Sequence, residues 1–165
     1  MKELHIPALN FTDVIGDVNY ANGLFRFTDV NAKVYGGTLK ARGDYNIDTR
    51  TYHIYGKGSQ LQSMRALNDL SFSCLVDLNL MVQCNGNPRN ILAYGDFKSG
   101  KGHYSFVPFN SLEGRFTNRF RELYIYNAVI DMPFGRVSTD AFSIINNKLH
   151  MGKIILTDPD SGKDI

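Results

Sequence analysis

The sequence predicts a mostly β protein: a long, curved antiparallel sheet, folded over as an open trough or sandwich-like, with one short amphipathic helix. The chain has 9 tyrosines and 11 phenylalanines, with 15 glycines and only 5 prolines. Aromatic residues favour strands, and glycines mark turns and bulges. Apolar residues also alternate with polar ones along most of the chain, and turn signals recur at strand-like intervals.

Four turn signals divide the chain into strands. Asn22-Gly23 is the strongest hairpin signal in the first half, residues 48–51 close a second hairpin, and residues 85–88 close a third. Asn146-Asn147 fits a further tight turn because asparagine tolerates positive φ. Gly36-Gly37 fits either a hairpin turn or a bulge within a strand, and in both cases the glycines are structural.

A long central strand is predicted between two of these turns. Its apolar face carries Phe72, Cys74, Val76, Leu78, Leu80 and Val82. If this segment is one strand, Cys74 and Cys84 lie about 33 Å apart at roughly 3.3 Å per residue. A disulfide needs Cα atoms within about 7 Å, so we expect two free, mostly buried thiols.

One segment departs from the period of two. In SQLQSMRALNDL the apolar residues fall three apart, at Leu61, Met64, Leu67 and Leu70. Ser59, with Gln62 three residues later, resembles a capping box. We predict a short amphipathic helix here, lying against an open end or face of the sheet.

The chain is interpreted as one domain, residues 1–157, followed by a flexible tail, residues 158–165. Apolar and glycine positions recur 98 residues apart, as Gly37 and Gly135 do. This leaves open whether residues 20–60 and 118–157 are two related halves joined by a helix and long central strands. With neither a signal peptide nor an apolar membrane-spanning run, we expect a fragment of a longer protein.

Charge and motifs argue against several functional classes. The net charge is +2 and the basic residues are scattered, which argues against a nucleic-acid binder. The four histidines match no zinc spacing. Ser111, Glu113 and Asp131 show no nucleophile elbow or paired-acid spacing. We therefore expect a protein that is not an enzyme, with no metal, no cofactor and no nucleic-acid partner.

Strands interrupted by paired glycines carry a family resemblance. In GLFRFTDVNAKVYGGTLKARGDYNIDTRTYHIYGKGSQLQSMRAL, a strand ends in paired glycines, and two more strands and a short apolar segment follow. GDFKSGKGHYSF and the segment from Pro108 to Gly152 provide similar later units. Over most of its length the chain resembles the C-terminal region of the AsmA-like family (AsmA/TamB-type bacterial envelope proteins).

The resemblance implies a periplasmic module of an inner-membrane-anchored protein in a double-membraned bacterium. AsmA-like proteins are similar to bridge-like lipid-transfer proteins, in which a curved sheet forms an apolar trough for phospholipid moving toward the outer membrane. Some members are implicated in outer-membrane protein assembly. The implied partners are phospholipid or another acyl-chain ligand, neighbouring segments of the same longer protein, and outer-membrane assembly proteins.

An acyl chain needs a continuous apolar surface and no specific polar partner, since each methylene removed from water contributes about 0.8 kcal/mol. The candidate residues for a lipid groove are Phe25, Phe27, Val30, Ala32, Val34, Leu39, Ala41, Ile54, Phe72, Val76, Leu78, Leu80 and Val82. The same residues also fit the interior of a closed β-sandwich that binds a carbohydrate or a protein. A third alternative is a scaffold that pairs strands of outer-membrane proteins along an exposed edge.

Overall fold

The computed structural model describes residues 3–6, 9–67, 70–120, 122–146, 148–158 and 160–164. Its strands are β1 (Glu3–Ile6), β2 (Leu9–Ala21), β3 (Leu24–Val34), β4 (Gly37–Asn46), β5 (Thr51–Gln62), β6 (Phe72–Ser73), β7 (Leu75–Asn85), β8 (Leu92–Ser99), β9 (Gly102–Tyr104), β10 (Val107–Phe109), β11 (Ser111–Arg119), β12 (Glu122–Met132), β13 (Gly135–Ile145), β14 (Lys148–Met151) and β15 (Ile154–Thr157). The α-helix α1 covers Ser63–Leu67, and a 3-10 helix covers Pro88–Asn90. The predicted fold class, mostly β with one short α-helix, is confirmed.

Among the described residues, twelve strands form one large antiparallel sheet. The strand order is β1-β2-β3-β4-β5-β7-β8-β11-β12-β13-β14, and β15 pairs with β13 beyond the end of β14. Most neighbours in the sheet are also neighbours in the chain, as expected when short turns join successive antiparallel strands. β6, β9 and β10 form a second, three-stranded sheet in the order β10-β9-β6.

The predicted turns separate strands where the sequence places them. Asn22-Gly23 joins β2 to β3 with φ of 49° and 76°, and Tyr35-Gly36 joins β3 to β4 with φ of 50° and 77°. Positive φ at both central residues is the conformation that favours a two-residue hairpin. The glycine pair therefore belongs to a hairpin, with Gly37 as the first residue of β4. Asn146 has a φ of 49° after β13, whereas Asn147 lies outside the described residues.

The spacing of 98 residues reappears in the backbone. β3 and β4 cover residues 24–34 and 37–46, and β12 and β13 cover 122–132 and 135–145. Asp29 in β3 and Asn127 in β12 have φ of 50° and 51°, and the pairing with the preceding strand shifts register beside each of them. Because a bulge adds one residue to a strand, it shifts the alternation of faces by one position. The shift occurs at equivalent positions, so the two hairpins present their apolar residues in the same way.

The helix is shorter than predicted and begins later. Leu61 belongs to β5 and is only 5% exposed there, so the cap predicted at Ser59 is wrong. The pairing of β5 with β7 continues to Gln62, the last residue of β5. The pairing and the burial of Leu61 stabilise the strand more than a helical turn of this length would, because such a turn is marginal alone. Leu67 and Leu70 are 62% and 84% exposed, so this half of the predicted apolar stripe does not pack against the sheet.

The long central strand is interrupted at Cys74. The hydroxyl of Ser63 donates to the carbonyl oxygen of Phe72 at 2.8 Å and accepts from the backbone N–H of Cys74 at 2.9 Å. These hydrogen bonds turn the chain out of the ladder, so Phe72 joins the small sheet and Leu75 begins β7. The prediction that Phe72 shares a face with residues 76–82 is wrong.

Few apolar side chains of the described residues are buried. None of the described side chains is less than 2% exposed, and the buried apolar residues are Ala32, Val34, Leu61, Cys74, Cys84, Phe109 and Ala128. The accessible surface is 11387 Å², whereas a compact monomer of this mass exposes about 8,200 Å². Cys74 and Cys84 are free and buried, which confirms the expectation for the thiols.

The described part of the tail folds back on β15. The backbone N–H of Asp158 donates to the carbonyl oxygen of Lys163 at 2.9 Å, and Thr157 bridges to Asp164. The Asp158 carboxylate also accepts from the N–H groups of residues 160 and 161. The described part of the tail is therefore a hydrogen-bonded turn, and its predicted flexibility stays a prediction. Within the described residues, no helix has the length and apolarity needed to cross a membrane.

Candidate functional site: the apolar face of the large sheet

Strand register assigns side chains to the two faces of the large sheet, because directly opposed residues on antiparallel strands share a face. Three cross-strand rows define what we call the apolar face. Row 1 is Phe27, Gly43, Ile54, Val82, Ala93, Asn118, Leu123 and Ile144. Row 2 is Val30, Ala41, Gly56, Leu80, Gly95, Phe116, Ile125, Phe142 and Met151. Row 3 is Ala32, Leu39, Gly58, Leu78, Phe97 and Gly114.

The three rows contain no charged residue, and Asn118 is their one polar side chain. Row 2 crosses nine strands, which at about 4.8 Å per strand gives a length of about 38 Å. Residues two apart on a strand are about 7 Å apart, so the three rows are about 14 Å wide. The row exceeds the roughly 30 Å hydrocarbon thickness of a bilayer. A hydrocarbon chain can therefore lie along the row, across the strands.

Twelve of the thirteen predicted groove residues lie on the apolar face. Nine are in the three rows, and Phe25, Val34 and Val76 extend the same face at positions two residues away on their strands. Phe72 is the exception, because it stacks on Phe109 in the small sheet with ring centroids 5.9 Å apart.

The prediction missed the apolar residues that the second half of the chain contributes. These are Phe97, Phe116, Leu123, Ile125, Phe142 and Ile144. The signal was present in the sequence, because Leu123 and Ile125 follow Phe25 and Phe27 by 98 residues. Adding 98 to the numbers of the predicted groove residues in the first half would have extended the predicted groove to the second half of the sheet.

The apolar face is uncovered. Every large apolar side chain in the three rows whose burial is described keeps partial access to solvent. Access increases toward both ends of the sheet, where Val18 is 62% and Tyr20 61% exposed on β2, and Met151 is 61% and Ile154 49% exposed on β14 and β15. The face is therefore an open surface that runs to both edges of the sheet.

Glycines in the rows allow adjacent strands to approach closely. A Cβ on Gly43 would overlap the carbonyl oxygen of His53, and a Cβ on Gly95 would overlap that of Asn79. Only glycine fits where a neighbouring backbone comes this close. The strand glycines noted in the sequence thus shape the sheet beneath the apolar face, in addition to forming turns.

The small sheet and α1 pack beyond row 3, at one end of the strands. A Cβ on Gly102 of β9 would lie 2.6 Å from the Cβ of Cys74 and 2.5 Å from the Phe109 ring. Phe109 and Leu61 are each 5% exposed, and Ser63 is 3% exposed. This end of the strands is therefore tightly packed, whereas the large apolar side chains of rows 1 and 2 remain accessible.

The opposite face of the sheet, the polar face, carries the charges. One row on it is Asn31, Lys40, Lys57, Asn79, Asp96, Arg115 and Tyr126. A cavity of about 730 Å³ opens on this face, and the backbone of Ala41, Gly56, Leu80 and Gly95 forms its floor. The predicted groove is thus a surface, and this cavity lies on the other side of the sheet from it.

The shifted pKa values belong mostly to ion pairs and turns at strand ends. The Arg136 guanidinium donates to Asp131 at 2.7 Å and lowers the pKa of that carboxyl, with a smaller contribution from the Ser111 hydroxyl. Lys33 pairs with Asp13 at 2.7 Å, and this hydrogen bond raises the pKa of the lysine.

In the part of the chain that the structure describes, no three His, Cys, Asp or Glu side chains converge as metal ligands would.

Comparison of the sequence with family models and curated proteins finds no match, and comparison of the fold with solved structures finds none either.

Proposed function

We propose that this protein is a non-enzymatic periplasmic module, of the kind found in AsmA-like proteins, which shelters the acyl chains of phospholipid on their way to the outer membrane. The observation that supports the proposal is the apolar face. It presents three adjacent rows without a charged side chain, and no other part of the described structure covers rows 1 and 2. The periplasmic location rests on the sequence resemblance.

The size of the apolar face favours a ligand. About 38 Å by 14 Å is roughly 500 Å², at the upper end of the largest apolar patches on ordinary monomers, which are often functional. Among the described residues, no buried side-chain nitrogen or oxygen lacks a hydrogen-bond partner. Asn118 is the one polar side chain in the three rows, so the face offers few hydrogen-bond partners to an occupant, which suits a hydrocarbon chain better than a sugar or a peptide.

The mechanism is passive. An acyl chain on row 2 gains about 0.8 kcal/mol for each methylene removed from water. Successive strands offer similar apolar contacts, so the chain can shift along the row without crossing a charged residue. The backbone ladder holds the surface in place, and the exposed ends at β2 and β14 allow a neighbouring segment of a longer protein to continue it.

The test compares two arginine variants of adjacent residues on β7. Leu80→Arg places a charge at the centre of row 2, whereas Asn79→Arg places the same residue on the polar face. Each protein is incubated with vesicles of phosphatidylethanolamine and phosphatidylglycerol, repurified, and analysed for bound lipid by mass spectrometry. Circular dichroism establishes that both variants are folded.

We expect the wild type and Asn79→Arg to retain phospholipid and Leu80→Arg to lose most of it, since a charge within a buried acyl contact is strongly unfavourable. Wild-type protein that retains no lipid contradicts the proposal. Equal retention by folded Leu80→Arg also contradicts it. Should Leu80→Arg fail to fold, Met151→Arg, at the exposed end of row 2, provides the same comparison.

A scaffold for outer-membrane protein strands is a second candidate, favoured by the edge of the sheet. β1 pairs only with residues 9–12 of β2, so within the described ranges the outer edge of residues 13–21 has no neighbour. Such an edge can accept another strand. Hydrogen exchange that slows at residues 13–21 when an unfolded outer-membrane protein is added would support this function, and unchanged exchange would exclude it.

The described structure gives no support to the closed-sandwich alternative. The second sheet contains three short strands among the described residues, and it lies beyond row 3. A sandwich would bury the large apolar side chains between two sheets of similar size. Here those side chains remain accessible.

A further inference from the structure

The cavity on the polar face has the size of a small-molecule site. Its volume of about 730 Å³ falls within the range of roughly 300–1,000 Å³ typical of ligand pockets. Its lining residues come from seven strands, β3, β4, β5, β7, β8, β11 and β12. Its charged lining residues are Lys40, Arg42, Lys57, Arg115, Asp29 and Asp96.

Three of the four cations of the cavity, Lys40, Lys57 and Arg42, have no carboxylate partner within the described part of the chain. Among the described residues, the ion pairs are Lys33–Asp13, His53–Asp44 and Arg136–Asp131, and none involves a residue of the cavity. Asp96 instead accepts a hydrogen bond from Asn79 at 3.0 Å. The lining residues therefore have two more positive than negative charges. Asp96 lies directly opposite Arg115 in the ladder, whereas no carboxylate of the described residues forms an ion pair with Lys40, Lys57 or Arg42.

Two of these cations are placed where repulsion is greatest. Lys40 of β4 and Lys57 of β5 are directly opposed in the ladder, so their Cβ atoms are about 5 Å apart, and like charges in this position are destabilising. Arg42 lies beside them, with its guanidinium carbon 5.5 Å from the centroid of the Tyr55 ring. That stacking leaves the edge of the guanidinium available to hydrogen-bond an anion.

We propose that the polar-face cavity binds a phosphate monoester, with Lys40, Lys57 and Arg42 as its principal contacts. A phosphate monoester carries a charge of about −1.5 to −2 at pH 7, which matches the excess of two positive charges. It also removes the repulsion between the opposed lysines. Tyr55 and Tyr94 line the same cavity and provide ring surfaces for the organic part of the ligand.

This site is independent of lipid sheltering. The backbone of the sheet separates the cavity from row 2, because Gly56 and Gly95 belong to row 2 and also form the cavity floor. A lipid whose acyl chains lie on the apolar face cannot place its head group in the cavity without passing through the sheet. The phosphate group of the ligand therefore belongs to a different molecule from any lipid bound there.

The experiment is a titration of the isotopically labelled full chain with inorganic phosphate at pH 7.5 and constant ionic strength, followed by NMR. The backbone amides of Gly56 and Gly95 report on the cavity floor. A second arm uses vesicles of phosphatidic acid, which carry the same group on a lipid. Lys57→Gln and Lys40→Gln remove one cation each, and Lys153→Gln, in the exposed connection between β14 and β15, is the control with the same change in net charge.

We expect inorganic phosphate to shift the Gly56 and Gly95 amides in a saturable manner. We expect Lys57→Gln and Lys40→Gln to weaken binding about fivefold, the effect of about 1 kcal/mol from losing one exposed ion pair, and Lys153→Gln to leave it unchanged. Binding to vesicles alone that is lost in Lys57→Gln but kept in Lys153→Gln assigns the phosphate to a lipid source. No binding in either arm overturns the proposal, and so does equal weakening by Lys153→Gln.

The Lys57→Gln variant should remain folded, so a loss of phosphate binding reports on the site itself. Replacing Lys57 by glutamine relieves the repulsion with Lys40, so this variant should be at least as stable as the wild type. Lipid retention by Lys57→Gln should also equal that of the wild type, because the substitution lies on the polar face. Failure of the phosphate site is thus distinguishable from failure of lipid sheltering.

Discussion

Gly95 tests whether the close approach of strands under the apolar face is obligatory. Gly95 is in row 2 and pairs with Leu80 of β7. In Gly95→Ala the new Cβ would overlap the carbonyl oxygen of Asn79 and lie 3.0 Å from the Cα of Leu80. These are backbone atoms, so relief requires that β7 and β8 separate locally rather than that a side chain turns away.

The expected loss of stability in Gly95→Ala follows from the backbone hydrogen bonds between β7 and β8. Separation weakens the backbone hydrogen bonds of the pairs that contain Gly95 and its neighbour Asp96, and each bond contributes about 0.5–1.5 kcal/mol net. Overpacking in general costs about 1–3 kcal/mol. We expect the free energy of unfolding to fall by about 2 kcal/mol, which at a slope of about 2 kcal/mol per molar urea lowers the midpoint by about 1 M.

Gly100→Ala is the matched control. A Cβ at Gly100 has no atom within 4 Å, and its φ is not among the positive values. Alanine there reduces the entropy of the unfolded chain, so its midpoint should equal that of the wild type or rise slightly. Urea unfolding followed by far-ultraviolet circular dichroism measures both variants. A Gly95→Ala midpoint equal to that of Gly100→Ala would refute the claim that only glycine fits row 2 at this position.

Two further outcomes are expected. Cys74 and Cys84, 8% and 5% exposed, should react with a thiol reagent slowly in the native protein and quickly in urea; rapid reaction of the native protein at either thiol would contradict their burial. The lowered pKa of Asp131 means that its pairing with Arg136 stabilises the β12–β13 hairpin above the ordinary carboxyl pKa and is lost as the pH falls through the lowered value. An NMR titration of the carboxyl should show that pKa rising in Arg136→Gln, and an unchanged pKa would show that the pair is not formed in solution.

Most of the apolar face could be predicted from the sequence because strand register follows from turns and a period of two. Asn22-Gly23 and Tyr35-Gly36 set the pairing of β2, β3 and β4. Phe27 and Val30 are three residues apart and share a face only because of the bulge at Asp29. This bulge itself is not evident in the sequence, because aspartate at positive φ is a rare choice that the surrounding ladder imposes.

The remaining features could not be predicted because tertiary contacts decide them. The Ser63 hydroxyl, just after the end of β5, donates to the carbonyl oxygen of Phe72 and accepts from the backbone N–H of Cys74, and these two bonds interrupt the predicted central strand. Leu61 follows the spacing of a helix and nevertheless lies in β5, where its burial is greater. The opposed pair Lys40 and Lys57 is visible only when the strands are in register, since the two residues are 17 positions apart.

The most direct test of the open apolar face is paramagnetic broadening of methyl signals by a nitroxide-labelled fatty acid. Leu80 and Ile125 are in row 2, and Met81 is the neighbour of Leu80 on the polar face, where its sulfur accepts a hydrogen bond from Tyr94 at 2.6 Å. We expect the methyl signals of Leu80 and Ile125 to lose intensity while that of Met81 is retained. Intensities that stay unchanged, or that fall equally at Met81, would contradict a hydrocarbon ligand on this face.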